Sequence, residues 1–133
     1  MRGWIPGGRV ASADLFPALA IPDSDTFPKS AAEEGGQATA LVRFAELNIA
    51  DFRHRPDPWD DFGEQLSRCL AEIAEWLRKR PKAAFVGFRE RGIRVDLLVQ
   101  TWIDCNQLDV AIPPALSRVC GDFEIGLVIM TNE

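Results

Sequence analysis

The sequence predicts an α+β fold, with a mostly antiparallel sheet of about four strands and one long and one short helix packed on one face. A helical rhythm of apolar residues runs from Trp59 to Leu77, and an apolar–polar alternation typical of a strand runs from Ile93 to Ile103. At 133 residues the chain can bury one hydrophobic core without metal or disulfide support. The predicted order is strand, long helix, possible strand, strand, short helix and strand. Helices on one face of a mostly antiparallel sheet suit this order.

The composition limits the classes of partner. The formal net charge is −5, with 47% hydrophobic and 26% charged residues, the balance of an ordinary globular protein. Nucleic-acid binding draws its affinity from clustered Lys and Arg, so we expect no nucleic-acid partner, whereas an acidic surface favours a basic protein. No run approaches about eighteen apolar residues, and no apolar segment follows Met1. We therefore expect no membrane span, no secretion and a cytoplasmic location.

The first 38 residues differ from the rest of the chain in their turn-forming composition. Four prolines and five glycines interrupt them. We predict residues 1–38 to be an irregular, partly packed segment that contains a mobile linker at 31–37, and residues 39–133 to form a single α+β domain. The segment has apolar side chains that can dock on the core, namely Leu15, Phe16, Leu19 and Ile21.

A first strand is predicted over residues 39–49, and the long helix follows it. Asp57 is a favoured N-cap residue because its side chain can accept a backbone N–H of the first turn, and Pro58 is tolerated at the first helical position. The helix is expected to end before Pro81. Its apolar stripe consists of Phe62, Leu66, Cys69, Leu70, Ile73 and Leu77.

Further elements are predicted in the second half of the chain. Residues 83–88 fit either a short strand or a further helical turn, and residues 93–103 are predicted to form the central strand. Residues 113–121 indicate a short helix, with proline at its start and Gly121 past its end. One apolar face then predicts a last strand, formed by Phe123, Ile125, Leu127 and Ile129.

The most acidic stretch, residues 54–64, coincides with the start of the long helix. Carboxylates near a helix N-terminus are stabilised by the helix dipole, so helix initiation alone accounts for them. A metal site on His54 and the nearby aspartates matches no strong ligand spacing, and we predict no catalytic residue, metal or cofactor. The functional prediction is a partner-binding surface that combines an aromatic anchor with acidic side chains: Trp59, Asp60, Asp61 and Glu64.

Two other functions stay open at this point. A small-ligand-binding or enzymatic domain would use a groove beside Trp102 and Cys105, although we expect Trp102 to be buried, covered by the N-terminal segment. A homo-oligomer, such as a homodimer, would pair an exposed edge strand with its copy. Cys69 and Cys120 fall on apolar helix positions and are predicted to be core residues.

The C-terminal half also resembles a known family. Three segments carry the resemblance: ERGIRVDLLV at 90–99, NQLDV at 106–110 and IPPALSRV at 112–119. Over residues 60–130 they resemble the small bacterial domains of unknown function numbered 4279. The resemblance implies a compact bacterial α+β protein and assigns no catalytic residue. By analogy with small acidic immunity proteins, we expect a non-enzymatic cytoplasmic interaction protein, with neutralisation of a toxin as the leading example.

Overall fold

The computed structural model describes residues 1–21, 30–33, 39–102 and 109–132, and their architecture confirms the general α+β prediction. No helix in these ranges is long and apolar enough to cross a membrane. In chain order the elements are β1 (Arg2–Trp4), α1 (Ser12–Leu15), β2 (Ser30–Glu33), β3 (Thr39–Arg43), a 3₁₀ turn (Ile49–Phe52), α2 (Pro58–Arg78), α3 (Lys82–Glu90), β4 (Arg94–Trp102), α4 (Pro114–Phe123) and β5 (Gly126–Asn132).

The strands in the described part of the chain form one mixed sheet of five, in the order β2-β3-β1-β4-β5. β1 pairs antiparallel with β3 and with β4, and β2 pairs antiparallel with β3. β4 and β5 are parallel. A parallel pair needs a crossover connection, which α4 supplies between the two strands. The sheet is therefore mostly antiparallel, as predicted, with a parallel pair at one edge.

The strand β1 is the main difference between prediction and structure. Residues 1–38 were expected to be mostly irregular, yet Arg2–Trp4 lies at the centre of the sheet, between β3 and β4. Three residues so close to Pro6 are too few to show a strand period. Gly3 suits this position because a Cβ there would overlap the side chain of the buried Leu15, which would then have to shift. Consequently β4, predicted as the central strand, lies between β1 and the edge strand β5.

The rest of the N-terminal segment supplies part of the core. Leu15 and Leu19 are buried, and Phe16 and Ile21 pack partly buried against the same core. The predicted linker at 31–37 lies partly outside the described residues. Its described part, 31–33, belongs to β2.

The helix α2 agrees with the prediction at both ends. It begins at Pro58 and ends at Arg78, before Pro81. Its predicted stripe is buried through the second half of the helix, for example at Ile73 and Leu77, which are 6% and 0% exposed. The region left open at 83–88 is helical and belongs to α3.

The end of α4 differs from the prediction. Gly121 was expected to follow the helix, but the helix continues to Phe123. The last strand begins only at Gly126, so Phe123 and Ile125 do not belong to it. Glu124 takes the left-handed conformation, with φ of 54°, and the N–H of Ile125 donates to the carbonyl of Cys120 at 2.8 Å. This is the usual geometry of a helix C-terminus, with Glu124 in the position that glycine most often holds.

The core lies on one face of the sheet. Val95 and Leu97 of β4 are buried in a cluster that includes helical residues such as Leu116. The residues that alternate with them along the strand are less buried: Arg94 is exposed and Asp96 is half-buried. Because successive side chains of a strand point to opposite faces, Arg94 and Asp96 belong to the other face. We call it the open face; by strand register it bears Arg2, Trp4, Arg94, Asp96, Leu98, Gln100, Trp102, Val128 and Met130.

Candidate functional site

The start of α2 has the predicted backbone but not the predicted capping side chain. The carbonyl of Asp57 accepts the N–H of Asp61 at 3.0 Å, and Pro58 occupies the first turn. The side chain of Asp57 makes no capping hydrogen bond and is exposed. The prediction that its carboxylate caps the helix is therefore wrong. Pro58 presets the helical φ without it, and has no N–H that needs a partner.

An aromatic cluster supports Trp59 from below. The Trp59 ring is 37% exposed and packs edge-to-face on Phe62, with ring centroids 6.2 Å apart. Phe62 in turn packs edge-to-face on the buried Phe52 at 5.6 Å, and the Arg55 guanidinium lies 4.9 Å from the centre of the Phe52 ring. Trp59 is thus the outer ring of a cluster that reaches into the protein. An exposed aromatic side chain held in this way suits the anchor of a protein interface.

The predicted carboxylates lie on the first two turns of α2, together with Trp59. Asp60 is exposed. Asp61 lies 3.8 Å from the guanidinium of Arg55, and Glu64 lies 3.9 Å from that of Arg68. These contacts are long and all four side chains are at least one-third exposed, so they contribute little to stability. A cationic partner could therefore replace either arginine at small cost.

The described ranges contain no cluster of side chains suited to metal binding or thiol chemistry. His54 is exposed, and no group of three His, Cys, Asp or Glu side chains there could hold a metal ion. Cys69 and Cys120 are 8% and 5% exposed, which confirms them as core residues. Burial raises the pKa of the Cys120 thiol. Cys105 lies outside the described residues.

The predicted burial of Trp102 is wrong. Its side chain is 75% exposed, more than any other large apolar side chain described. Trp102 is the last residue of β4, and the register pairs Arg94 and Asp96, at the other end of β4, with β1. The N-terminal strand therefore covers the start of β4 and leaves its end uncovered. The groove expected beside Trp102 also involved Cys105, which the described ranges do not include.

Two exposed apolar residues lie on β5, next to β4. Ile129 is 49% exposed and Met130 is 40% exposed. Met130 is level with Gln100 of β4, and the following pair along the open face is Trp102 with Asn132. Single exposed apolar side chains are common, but three at the same edge of a sheet are the kind of surface that proteins use for contact.

A polar cluster on the open face joins the first residues of the chain to β4. One carboxylate oxygen of Asp96, Oδ2, accepts hydrogen bonds from Arg2 Nη2 and from Trp4 Nε1, each at 2.7 Å. The Arg94 guanidinium lies 5.0 Å from the centre of the Trp4 ring. Sequence reasoning missed this cluster because it treated residues 1–38 as irregular. The only signal was the order Arg2-Gly3-Trp4, in which two large side chains flank the smallest one.

A cleft of about 690 Å³ opens beside this cluster, between the start of β4 and the end of α4. Most of the charged groups that line it already have partners. Arg89 forms an ion pair with Glu124 at 2.9 Å and donates to the carbonyl of Phe123 at 2.9 Å. Asp96 is held by the contacts described above. The cleft therefore presents mostly paired groups, and its contacts connect α3, α4 and the sheet.

Comparison with known proteins gives no relative for this chain. No family model, no curated protein and no solved structure matches it. The resemblance to the family numbered 4279 stays a prediction.

Proposed function

We propose that this protein is a non-enzymatic interaction protein that binds a basic partner protein at the start of α2. The observation that carries the proposal is the position of Trp59. Its ring is 37% exposed and rests on Phe62, and the first two turns of the same helix also carry three carboxylates. An aromatic residue at the centre and charged residues at the rim are the usual composition of a protein interface. The carboxylates are Asp60, Asp61 and Glu64.

Electrostatics support a basic partner. The chain carries a net charge of −5, which attracts cations over a distance and raises the rate of encounter. At the surface itself, the cations nearest to Asp61 and Glu64 are Arg55 and Arg68, at 3.8 Å and 3.9 Å. Both arginines are exposed, so lysine or arginine side chains of a partner can take their places without desolvating a buried ion pair.

The proposed setting is the cytoplasm of a bacterium, and the proposed partner is a cationic protein such as a toxin that the chain neutralises. This part of the proposal rests on the acidity of the chain and on its resemblance to the family numbered 4279. The proposal implies binding without catalysis. The amount of partner bound should therefore rise with the concentration of this protein and level off once all of the partner is bound.

The test is affinity capture with the wild-type chain and with the double variant Asp60→Lys, Asp61→Lys. We expect a cationic protein to be captured by the wild type and lost from the double variant, because both substitutions place positive charge beside Trp59. The captured protein is then purified and its dissociation constant measured by calorimetry. A third variant, Trp59→Ala, should weaken the same complex without changing its charge.

The matched control is the double variant Glu72→Lys, Glu90→Lys, which makes the same change in net charge at two exposed positions away from Trp59. It should bind the partner nearly as well as the wild type. Circular dichroism must show that all variants are folded. A partner that binds equally well after Asp60→Lys and Asp61→Lys would remove the assignment of this surface.

A further inference from the structure

The edge strand β5 lacks the features that usually keep sheet edges apart. Natural edge strands carry charges, proline or bulges, or are very short. The seven residues of β5, GLVIMTN, contain no charge and no proline, and their register with β4 is unbroken from Gly126 to Asn132. At the opposite edge, β2 has four residues and ends with Glu33. The two edges are therefore built differently, and β5 is the one suited to pairing.

Exposed apolar surface is concentrated at the same edge. Ile129 and Met130 are 49% and 40% exposed, and Trp102 on the neighbouring strand is 75% exposed. No strand of the described ranges lies on the outer side of β5. An edge strand in that position offers backbone N–H and C=O groups to another strand, with apolar side chains on both faces to pack against it.

We propose that a second copy of this chain pairs its β5 antiparallel with this one, about a two-fold axis at Ile129. The pairing joins the sheets of the two copies into one continuous sheet. It goes beyond the binding function proposed above and uses a different surface. In a two-fold contact both copies contribute the same strand, so the residues of β5 must pack well against those of a second β5.

The sequence of β5 meets that requirement. Around the axis, Ile129 faces its own copy, Val128 faces Met130, and Leu127 faces Thr131. On the open face, Val128 of the second copy covers the exposed Met130. The central pairs are apolar on both sides, as stable cross-strand pairs are. In the outermost pair a small residue, Gly126, faces a polar one, Asn132.

The charges of the molecule favour a second copy over the basic partner proposed for α2. Two acidic copies repel each other wherever like charges meet, but no charge faces another along β5. The charged groups near the start of the strand are already paired, Glu124 with Arg89 and Asp96 with Arg2. Antiparallel pairing places Gly126, the first residue of the strand, opposite the uncharged Asn132 of the second copy. A cationic partner would find no carboxylate within the strand to attract it.

The first test is the mass of the full chain in solution at micromolar concentration, measured by light scattering after size exclusion. The wild type should have twice the 14.8 kDa mass of the chain, and Ile129→Lys should be monomeric and folded. Val86→Lys is the matched control, since Val86 is 37% exposed on α3, and it should remain dimeric. Asp60→Lys, Asp61→Lys should also remain dimeric, which separates failure of this proposal from failure of the α2 surface. A monomeric wild type overturns the proposal.

The second test fixes the register. In a Cys105→Ser background, Ile129→Cys should form a disulfide between copies under mild oxidation, because directly opposed residues of an antiparallel pair lie within about 5.5 Å, inside the span of a disulfide. Thr131→Cys should not, since its two copies would be offset by four residues, roughly 13 Å along the strand. Non-reducing electrophoresis separates the products. A dimer that cross-links through Thr131→Cys and not through Ile129→Cys would contradict the two-fold axis at Ile129.

Discussion

At the scale of single residues, Asp96 connects three strands of the sheet. Its Oδ2 accepts hydrogen bonds from Arg2 and Trp4 of β1, at 2.7 Å each, while Asp96 itself belongs to β4. On its other side the carboxylate lies directly against Gly126 of β5, where a Cβ would overlap Asp96 Oδ1. The side chain of Asp96 is 13% exposed, so its hydrogen bonds are partly shielded from water. Gly126 is therefore needed for the Asp96 carboxylate to reach β1.

The variant Gly126→Ala should destabilise the protein by about 1–3 kcal/mol, because the new methyl group pushes the Asp96 carboxylate away from Arg2 and Trp4. Urea unfolding measures the change. The same substitution in an Asp96→Ala background should cost much less, since the overlapping oxygen is gone. Equal costs in the two backgrounds would show that the contact with Asp96 is not the cause.

The matched control is Gly121→Ala in α4. No heavy atom lies within 4 Å of a Cβ at that position, and Gly121 is inside a helix. Alanine has a higher helix propensity than glycine, so the variant should gain up to about 1 kcal/mol. We therefore expect Gly126→Ala to lower the free energy of unfolding and Gly121→Ala to raise it, because the two glycines have different surroundings.

The buried amino group of Met1 should make the stability of the protein depend on pH. It donates to the carbonyl of Val42 at 2.7 Å, and its burial, followed by the charge of Arg2, lowers its pKa from 8.0 to about 5. In the 133-residue chain, the unfolded state then binds a proton between pH 5 and pH 8 that the folded state does not. Stability should therefore rise with pH across this window, by up to about 1.4 kcal/mol per pH unit.

Urea unfolding between pH 5 and pH 8 tests this expectation. The measurement is best made with His54→Gln, which removes the only histidine of the chain. A free energy of unfolding that stays constant over the window would mean that the amino group is not buried as described. A decrease with rising pH would contradict the account equally.

At the scale of elements, Arg80 connects the end of α2 to the N-terminal segment. Its Nη1 donates to the carbonyl of Ala20 at 2.9 Å, its Nε donates to that of Trp76 at 3.2 Å, and its guanidinium lies 4.6 Å from the centre of the Trp76 ring. Arg80 is 8% exposed, the only charged side chain buried in the described ranges. It therefore holds the segment after α1 against the long helix.

The variant Arg80→Ala should destabilise the protein by about 1–3 kcal/mol, because it leaves the carbonyl of Ala20 without this donor. Hydrogen exchange should accelerate most at residues 10–21 and least in α3. Arg78→Ala is the control, since Arg78 is exposed and pairs with Glu75 in the preceding turn, at 2.6 Å. Loss of protection spread evenly over the chain would mean that Arg80 does not act locally.

The elements that the sequence predicted are those whose signal is local. α2 shows its apolar stripe from Phe62 to Leu77, and Pro58 and Pro81 limit its ends, so both ends are correct. The alternation of β4 is shorter, but over nine residues it is equally local. By contrast, β1 has three residues, too few for any period, and its place at the centre of the sheet comes from pairing with residues far along the chain.

The candidate surfaces divide in the same way. Trp59, Asp60, Asp61 and Glu64 fall within the first two turns of one helix, so sequence reasoning could place them near one another along that helix. The exposure of Trp102 and the edge position of β5 depend on which strands are neighbours, and no local pattern encodes that order. The contact of Asp96 with Arg2 joins residues 94 positions apart, and needs the sheet topology to be seen.

At the scale of the whole molecule, the two proposed surfaces are separate and should act independently. The start of α2 presents carboxylates and Trp59, while the outer edge of β5 presents an uncharged apolar strand. A basic partner fits the first, and a second copy fits the second. Variants of one surface should then leave the other unchanged, because substitutions at distant sites without shared partners are additive.

Native mass spectrometry of the captured complex tests this account most directly. For the wild type we predict two copies of this chain with two copies of the basic partner. Ile129→Lys should give one of each, and Asp60→Lys with Asp61→Lys should give the dimer alone. A partner lost from Ile129→Lys but kept by the Asp60 and Asp61 double variant would contradict the central claim that the partner binds at the start of α2.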